Sequence, residues 1–181
     1  MKTPRVKRYL ESFAKQVVRD SRKMLSSAKG NTALAKSIRA VVETTATGFS
    51  TKFYMADYGT FLDEGVSGTD KKRSFENYKG VRKVSSYSYT TKGPPIDIIS
   101  KWIKKKGIQP KGTGRGRSRN TGQYISGLAY LISRKIKRDG IKSISFFQKP
   151  LGVGLKELDN NFLKELKLDI QSYLTTFTKT Q

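Results

Sequence analysis

The stretch IRAVVETTATGFSTKFYM, residues 38–55, lies between two helical patterns and sets the expected class of fold. It is rich in Val, Thr, Phe and Tyr, side chains that suit a pleated and half-buried surface. Thr47-Gly48 sits in its middle, with Gly48 able to supply positive φ, so two antiparallel strands joined by a tight turn are expected. Upstream, Thr3-Pro4 reads as a helix start, with Pro at the first helical position where its missing N–H costs nothing. Val6, Tyr9, Leu10, Phe13, Val17 and Met24 then fall on one helical face, and Gly30 ends the run. A short helical piece over Thr32–Ser37, capped by Asn31 or Thr32, leads into the strands. Downstream, Asp57 is placed to cap a short helix from Tyr58 to Glu64, which Gly65 stops, with a strand as the competing reading of so short a segment.

Between Val66 and Gly93 the chain is Ser, Thr, Gly, Lys and Tyr with little periodicity, a long loop in which Val81 to Tyr89 would form an extended hairpin arm. Gly93-Pro94-Pro95 punctuates it. Ile96, Ile99, Trp102 and Ile103 follow on one helical face that Gly107 closes, and residues 112–119 are a Gly/Arg low-complexity loop. Ile125, Leu128, Ala129, Ile132 and Ile136 mark the next helix, ended by Asp139-Gly140. Ile141 to Phe147 resembles a strand interrupted by Pro150, and Leu158, Phe162, Leu166, Ile170, Tyr173 and Phe177 mark an amphipathic C-terminal helix. The expected class is therefore α+β. A small antiparallel sheet, made of the hairpin near 38–56 plus a later strand, packs against an N-terminal, two central and a C-terminal helix. A single domain over 1–181 is expected, with flexible basic loops near 67–93 and 109–122. Its core would include Phe13, Val17, Ile99, Trp102, Ile103, Leu128, Ile132, Ile136 and Phe162.

Composition narrows the function. The 181 residues carry 37 Lys plus Arg against 14 Asp plus Glu, a net charge of +23, with no Cys and no His. Without Cys there is no disulfide scaffold, thiolate metal site or cysteine nucleophile, and without His no Ser-His-Asp chemistry or imidazole-bound zinc. No stretch approaches the length of apolar chain that spans a membrane. Residues 71–119 alone hold fifteen basic and two acidic side chains. A compact body this positive repels itself, so a polyanion or an acidic protein surface is its expected neighbour; scattered lysines are also simply a solvated surface. Catalytic constellations are weak. Asp57, Asp63 and Glu64 carry oxygens that could hold a divalent metal, but Asp57 is better used as a helix cap and the adjacent Asp63 and Glu64 point in different directions on a helix. Asp70-Lys71-Lys72 matches a nuclease-like D-x-K spacing that arises easily in so basic a chain. Gly112-x-Gly114-x-Gly116 has no strand before it and no GK[ST] after it, so it is not a phosphate-binding loop of the nucleotide-binding kind. Tyr78, Tyr87 and Tyr89 among Lys79, Arg82, Lys83 and Lys92 would suit base stacking, although ordinary strand composition explains them as well. The reading is a non-enzyme with no cofactor and no bound metal.

Three landmarks in order carry a resemblance. They are YGTFLDEGV at 58–66, PPIDIISKWIKKKG at 94–107, and YLISRKIKRDGI at 130–141 followed by Phe146-Phe147 and Pro150-Leu151. This order resembles the neck and tail-completion proteins of tailed bacteriophages, the head–tail joining, tail-terminator and minor tail components. The resemblance spans about residues 1–165. The loop 67–93, the insertion 112–119 and the exit Ser145 to Leu151 depart from the family pattern. The resemblance implies a structural virion protein at the neck or upper tail, assembled in the bacterial host cytoplasm. It would form a homo-oligomeric ring around the DNA channel, with other neck and tail proteins as partners and no membrane. Inter-subunit contact would fall to Tyr58, Phe61, Leu62, Glu64, Tyr87 and Tyr89. Lys104, Lys105, Lys106, Arg115, Arg117 and Arg119 would face DNA or an acidic neighbour. The alternative from a different class is a basic, sequence-independent DNA-binding protein using those same cations.

Overall fold

The computed structural model describes residues 3–29, 32–46, 48–108, 115–117 and 124–179. In chain order these form α1 (Pro4–Lys29), α2 (Thr32–Ser37), β1 (Arg39–Thr45), β2 (Gly48–Tyr54), α3 (Gly59–Glu64), β3 (Ser74–Glu76), β4 (Arg82–Val84), α4 (Ile96–Lys105), β5 (Arg115–Arg117), β6 (Tyr124–Ser126), α5 (Gly127–Asp139) and α6 (Gln148–Lys179). The strands pair as β1–β2, β3–β4 and β5–β6. The fold is α+β. The chain divides into two compact units, one made of Met1–Asp63, Glu76–Arg82 and Ile144–Gln181, the other of Glu64–Phe75 and Lys83–Ser143.

In the first unit the expected hairpin is present, in register from Arg39 opposite Tyr54 to Thr45 opposite Gly48. Its inner residues Ala40 and Phe53 join Met55, Leu62, Ile144 and Phe147 around a core of Val18, Leu25, Leu34, Ala35, Ile38 and Phe146. The Phe53 ring stands edge-on to Phe13 and Phe147, with centroids 6.4 and 5.3 Å apart, the favoured arrangement for aromatic pairs. Helix α6 approaches α1 closely because Gly154 has no side chain. A Cβ there would lie 2.7 Å from the Phe13 ring.

Two buried carboxylates fasten the helix starts of this unit. Asp169, 1% exposed and carried on α6, accepts the backbone N–H groups of Arg5 (3.3 and 3.1 Å) and Val6 (3.0 Å) at the start of α1. Asp63, 2% exposed and carried on α3, accepts the N–H of Phe147 at 2.8 Å and, more weakly, that of Gln148 at 3.5 Å, where α6 begins. Each carboxylate meets N–H groups that have no partner within their own helix, at the end where the helix dipole favours negative charge.

The second unit is built on α4 and α5, which enclose Ile99, Ile103 and Ala129 with Ile96, Leu128, Ile132 and Ile136 packed around them. Single bridges tie its loops together, Val66 antiparallel to Ile141 and Ser67 parallel to Ser88. Gly140, at φ 71°, turns the chain out of α5 so tightly that a Cβ there would lie 2.1 Å from the Val66 carbonyl oxygen. Only glycine fits.

Several expectations need correction. Trp102 is not a core residue: it is 46% exposed. The buried line of α4 runs through Ile96, Ile99 and Ile103, and Trp102 is turned about 100° from Ile103 by the helical repeat. Leu128, Ile132, Ile136 and Phe162 are half-buried rather than enclosed. The later strand over 141–147 reduces to the one bridge at Ile141, and the chain kinks at Ser145, φ 51°. Pro150 falls in the first turn of α6, where its missing N–H breaks no bond, so that helix starts at Gln148 and not near Leu158. The segment 67–93 is partly regular, with a hairpin at 74–84 whose turn is held by Asn77 Oδ1 accepting the N–H groups of Lys79 and Val81. Of the expected loop near 109–122, only β5 lies within the described residues, and Gly30, Asn31 and Thr47 lie outside them.

Candidate functional site

The residues expected at subunit contacts are divided between the two units. Tyr58 and Phe61, beside and on α3, are exposed by 43% and 41%, while Leu62 turns into the core of the first unit. Glu64, Tyr87 and Tyr89 belong to the second unit and are half-buried. The Ser67 N–H donates to the Tyr87 carbonyl and the Tyr89 N–H to the Ser67 carbonyl, both at 2.8 Å, so the two tyrosines are part of that unit's loop framework. Burial pushes the Tyr89 phenol above its ordinary pKa. One carboxylate oxygen of Glu64 is enclosed without a hydrogen-bond partner among the described residues.

The expected cations belong to the second unit. Lys104, Lys105 and Lys106 are exposed at the C-terminal end of α4, where positive charge complements the helix dipole. Arg115 and Arg117 lie in β5, opposite Ser126 and Tyr124 of β6; Arg119 lies outside the described residues. Large apolar side chains share this unit's exterior: Ile98 (64% exposed) and Trp102 one turn apart on α4, Tyr130 and Leu131 about half exposed on α5. Their exposure is not an expectation drawn from the sequence, although a signal for it exists there. Ile98 lies off the buried line of α4, as do Tyr130 and Leu131 off the Ala129–Ser133 line of α5.

A concavity of about 620 Å³ in this unit is walled by Tyr130, Arg134, Lys137 and Arg138, with Asp70, Gly93 and Ser133 among its other residues. Much of its polar lining is committed. Ser133 Oγ donates to the Pro94 carbonyl and Lys137 Nζ to the Thr91 carbonyl, each at 2.7 Å. Arg138 Nε donates to Asp139 at 3.0 Å, and Lys71 Nζ lies 3.6 Å from the same carboxylate. The Arg138 hydrogen bond holds the Asp139 carboxyl below the usual carboxylate range against the opposing effect of burial. Arg134 is exposed on α5.

Chemically, exposed cations in a unit that also exposes a tryptophan and a tyrosine suit contact with phosphates or carboxylates. The two enclosed aspartates of the first unit are committed to helix N–H groups. Among the described residues no three acidic side chains gather in a way that could hold a metal ion, and no helix is long and apolar enough to cross a membrane. Fold and surface together define an α+β chain whose second unit is strongly cationic and exposes large aromatic and aliphatic side chains. No protein-family model, curated protein or solved structure matches it.

Proposed function

We propose that this chain is a structural virion protein of a tailed bacteriophage, assembled in the host cytoplasm into a homo-oligomeric ring at the neck or upper tail. It acts by contact and not by catalysis. One observation carries most of the weight: both units bear large apolar side chains on their exteriors, Tyr58 and Phe61 on the first, Ile98, Trp102, Tyr130 and Leu131 on the second. Different patches on one chain suit heterologous contacts, in which one copy's patch meets another patch on the next and a closed rotation makes a ring. The order of the three sequence landmarks supports the same reading. The test is imaging of the intact particle at side-chain resolution. Several copies encircling the DNA channel, with Trp102 covered by a neighbour, are expected; absence of the chain from finished particles would refute the proposal.

A second reading, sequence-independent DNA binding, is favoured by the charge of the second unit, where 18 basic side chains face four acidic ones. It predicts binding of the isolated chain to duplex DNA that weakens with salt, by about 0.9 in the log–log slope for each phosphate neutralised. No detectable binding at moderate salt would remove it.

A further inference from the structure

The first unit carries a cleft of about 440 Å³ lined by α1 and β1 alone. Its floor is apolar, made by Ala14 and Val18 of α1 with Ala40 and Val42 of β1. Its rim is cationic: Lys15, Arg19 and Arg22 from α1 and Arg39 from β1, against one acid, Glu11. The rim groups are steadied from below. Arg22 donates to the Ile38 carbonyl at 2.6 Å, and the Arg39 guanidinium lies 4.9 Å from the centre of the Tyr54 ring. Arg19 pairs with the neighbouring Asp20, an exposed contact worth little in water and readily exchanged.

Among the described residues β1 pairs with β2 alone, so its other edge is open. Thr45 and Gly48 close a connection of only two residues, and a pair in that position exchanges both of its N–H···O bonds. Alternation along the ladder then turns the peptide groups of Ala40, Val42 and Thr44 away from β2. Open edge, apolar floor and cationic rim thus coincide.

We propose that this cleft is a docking site for an extended acidic segment of a partner protein, which adds as a strand beside β1. Main-chain bonds to Ala40, Val42 and Thr44 would hold it, alternate apolar side chains would cover the floor, and its carboxylates would meet Lys15, Arg19, Arg22 and Arg39. The occupant comes from another protein because the paired acids of this chain, Asp63 with Glu64 and Glu157 with Asp159, lie in α3 and α6. The inference does not rest on where the chain acts, so it stands or falls separately from the virion reading.

The test uses a fluorescent peptide alternating Glu and Val, matched to the seven residues of β1, with a Lys/Val peptide as control. Fluorescence anisotropy with the full chain should show binding of the first peptide only. The double variant Lys15→Glu/Arg19→Glu should weaken it by roughly tenfold or more, whereas Lys164→Glu/Lys167→Glu, at exposed positions of α6, should leave it unchanged. Val42→Pro should abolish binding, since it removes an outward N–H without breaking a bond to β2. In the unmodified chain the amides of Ala40, Val42 and Thr44 should exchange more slowly once the Glu/Val peptide is bound. No binding, equal weakening by the Lys164/Lys167 pair, or unchanged exchange at those three amides would overturn the proposal.

Discussion

The two units of this chain solve different problems. The first carries 19 basic and ten acidic side chains and nearly all of the fully enclosed bulk, including Phe146, Leu25, Leu34, Ile38, Val6 and Val17. The second is shorter but more positive, 18 basic against four acidic. Among the described residues its enclosed apolar side chains are few, Val66, Phe75, Ile99, Ile103 and Ala129, and it turns Ile98, Trp102, Tyr130 and Leu131 outward. Burial stabilises roughly in proportion to apolar area removed from water. Substitutions in the first unit should therefore cost stability, and those on the exterior of the second should cost contact.

That contrast can be broken by mutation. The largest effect is expected for Phe146→Ala, which empties the centre of the first unit and should cost about 3–5 kcal/mol in denaturant unfolding. Ile103→Ala, in the thinner core of the second unit, should cost about 2–4 kcal/mol. If it cost as much as Phe146→Ala, the two cores would be equally consolidated. Asp169→Ala leaves the Arg5 and Val6 N–H groups buried without their acceptor and should cost about 1–3 kcal/mol. Faster amide exchange at the first turn of α1 is the specific readout. Trp102→Ala removes a half-exposed ring and should cost about 1–2 kcal/mol; a loss of about 3–5 kcal/mol, that of an enclosed tryptophan, would return Trp102 to the core.

The smallest effect is a pH dependence. Asp139 is held below its ordinary pKa by Arg138, so its pairing contributes fully above the unfolded carboxyl value, about 3.9, and is lost as pH falls through the lowered folded value. Asp139→Asn should therefore make the second unit slightly less sensitive to acid below about pH 4, and leave the first unit's acid response as it was. Exchange rates followed separately in the two units distinguish these outcomes.

Much of the fold is readable along the chain because local patterns suffice. The alternation at 38–55 and the helical spacing of Phe13 and Val17 or of Ile99 and Ile103 each refer to neighbours within a few turns. What escaped is non-local. Asp63 reads as one of a local acidic cluster and Asp169 as an ordinary surface acid, yet each caps a helix start, Asp63 at Phe147, 84 residues on, and Asp169 at Arg5, 164 residues back. Pro150 looked like a breaker because the first turn of α6 was not recognised around it. Trp102 looked like core because its size outweighed its angle on a ten-residue helix. At the candidate site the basic run 104–106 was legible as composition, while its companions Ile98 and Tyr130 emerged only once the buried faces of α4 and α5 were known.

The sole tryptophan of the chain reports on the proposed role directly. Trp102 labelled with fluorine allows its environment to be followed by fluorine NMR without interference from other proteins, first in the free chain and then in the assembled particle. A solvent-exposed signal in the free chain that becomes shielded from a soluble quencher on assembly is the predicted result. A signal equally exposed in both states, or already buried before assembly, would contradict a role for this face in contact.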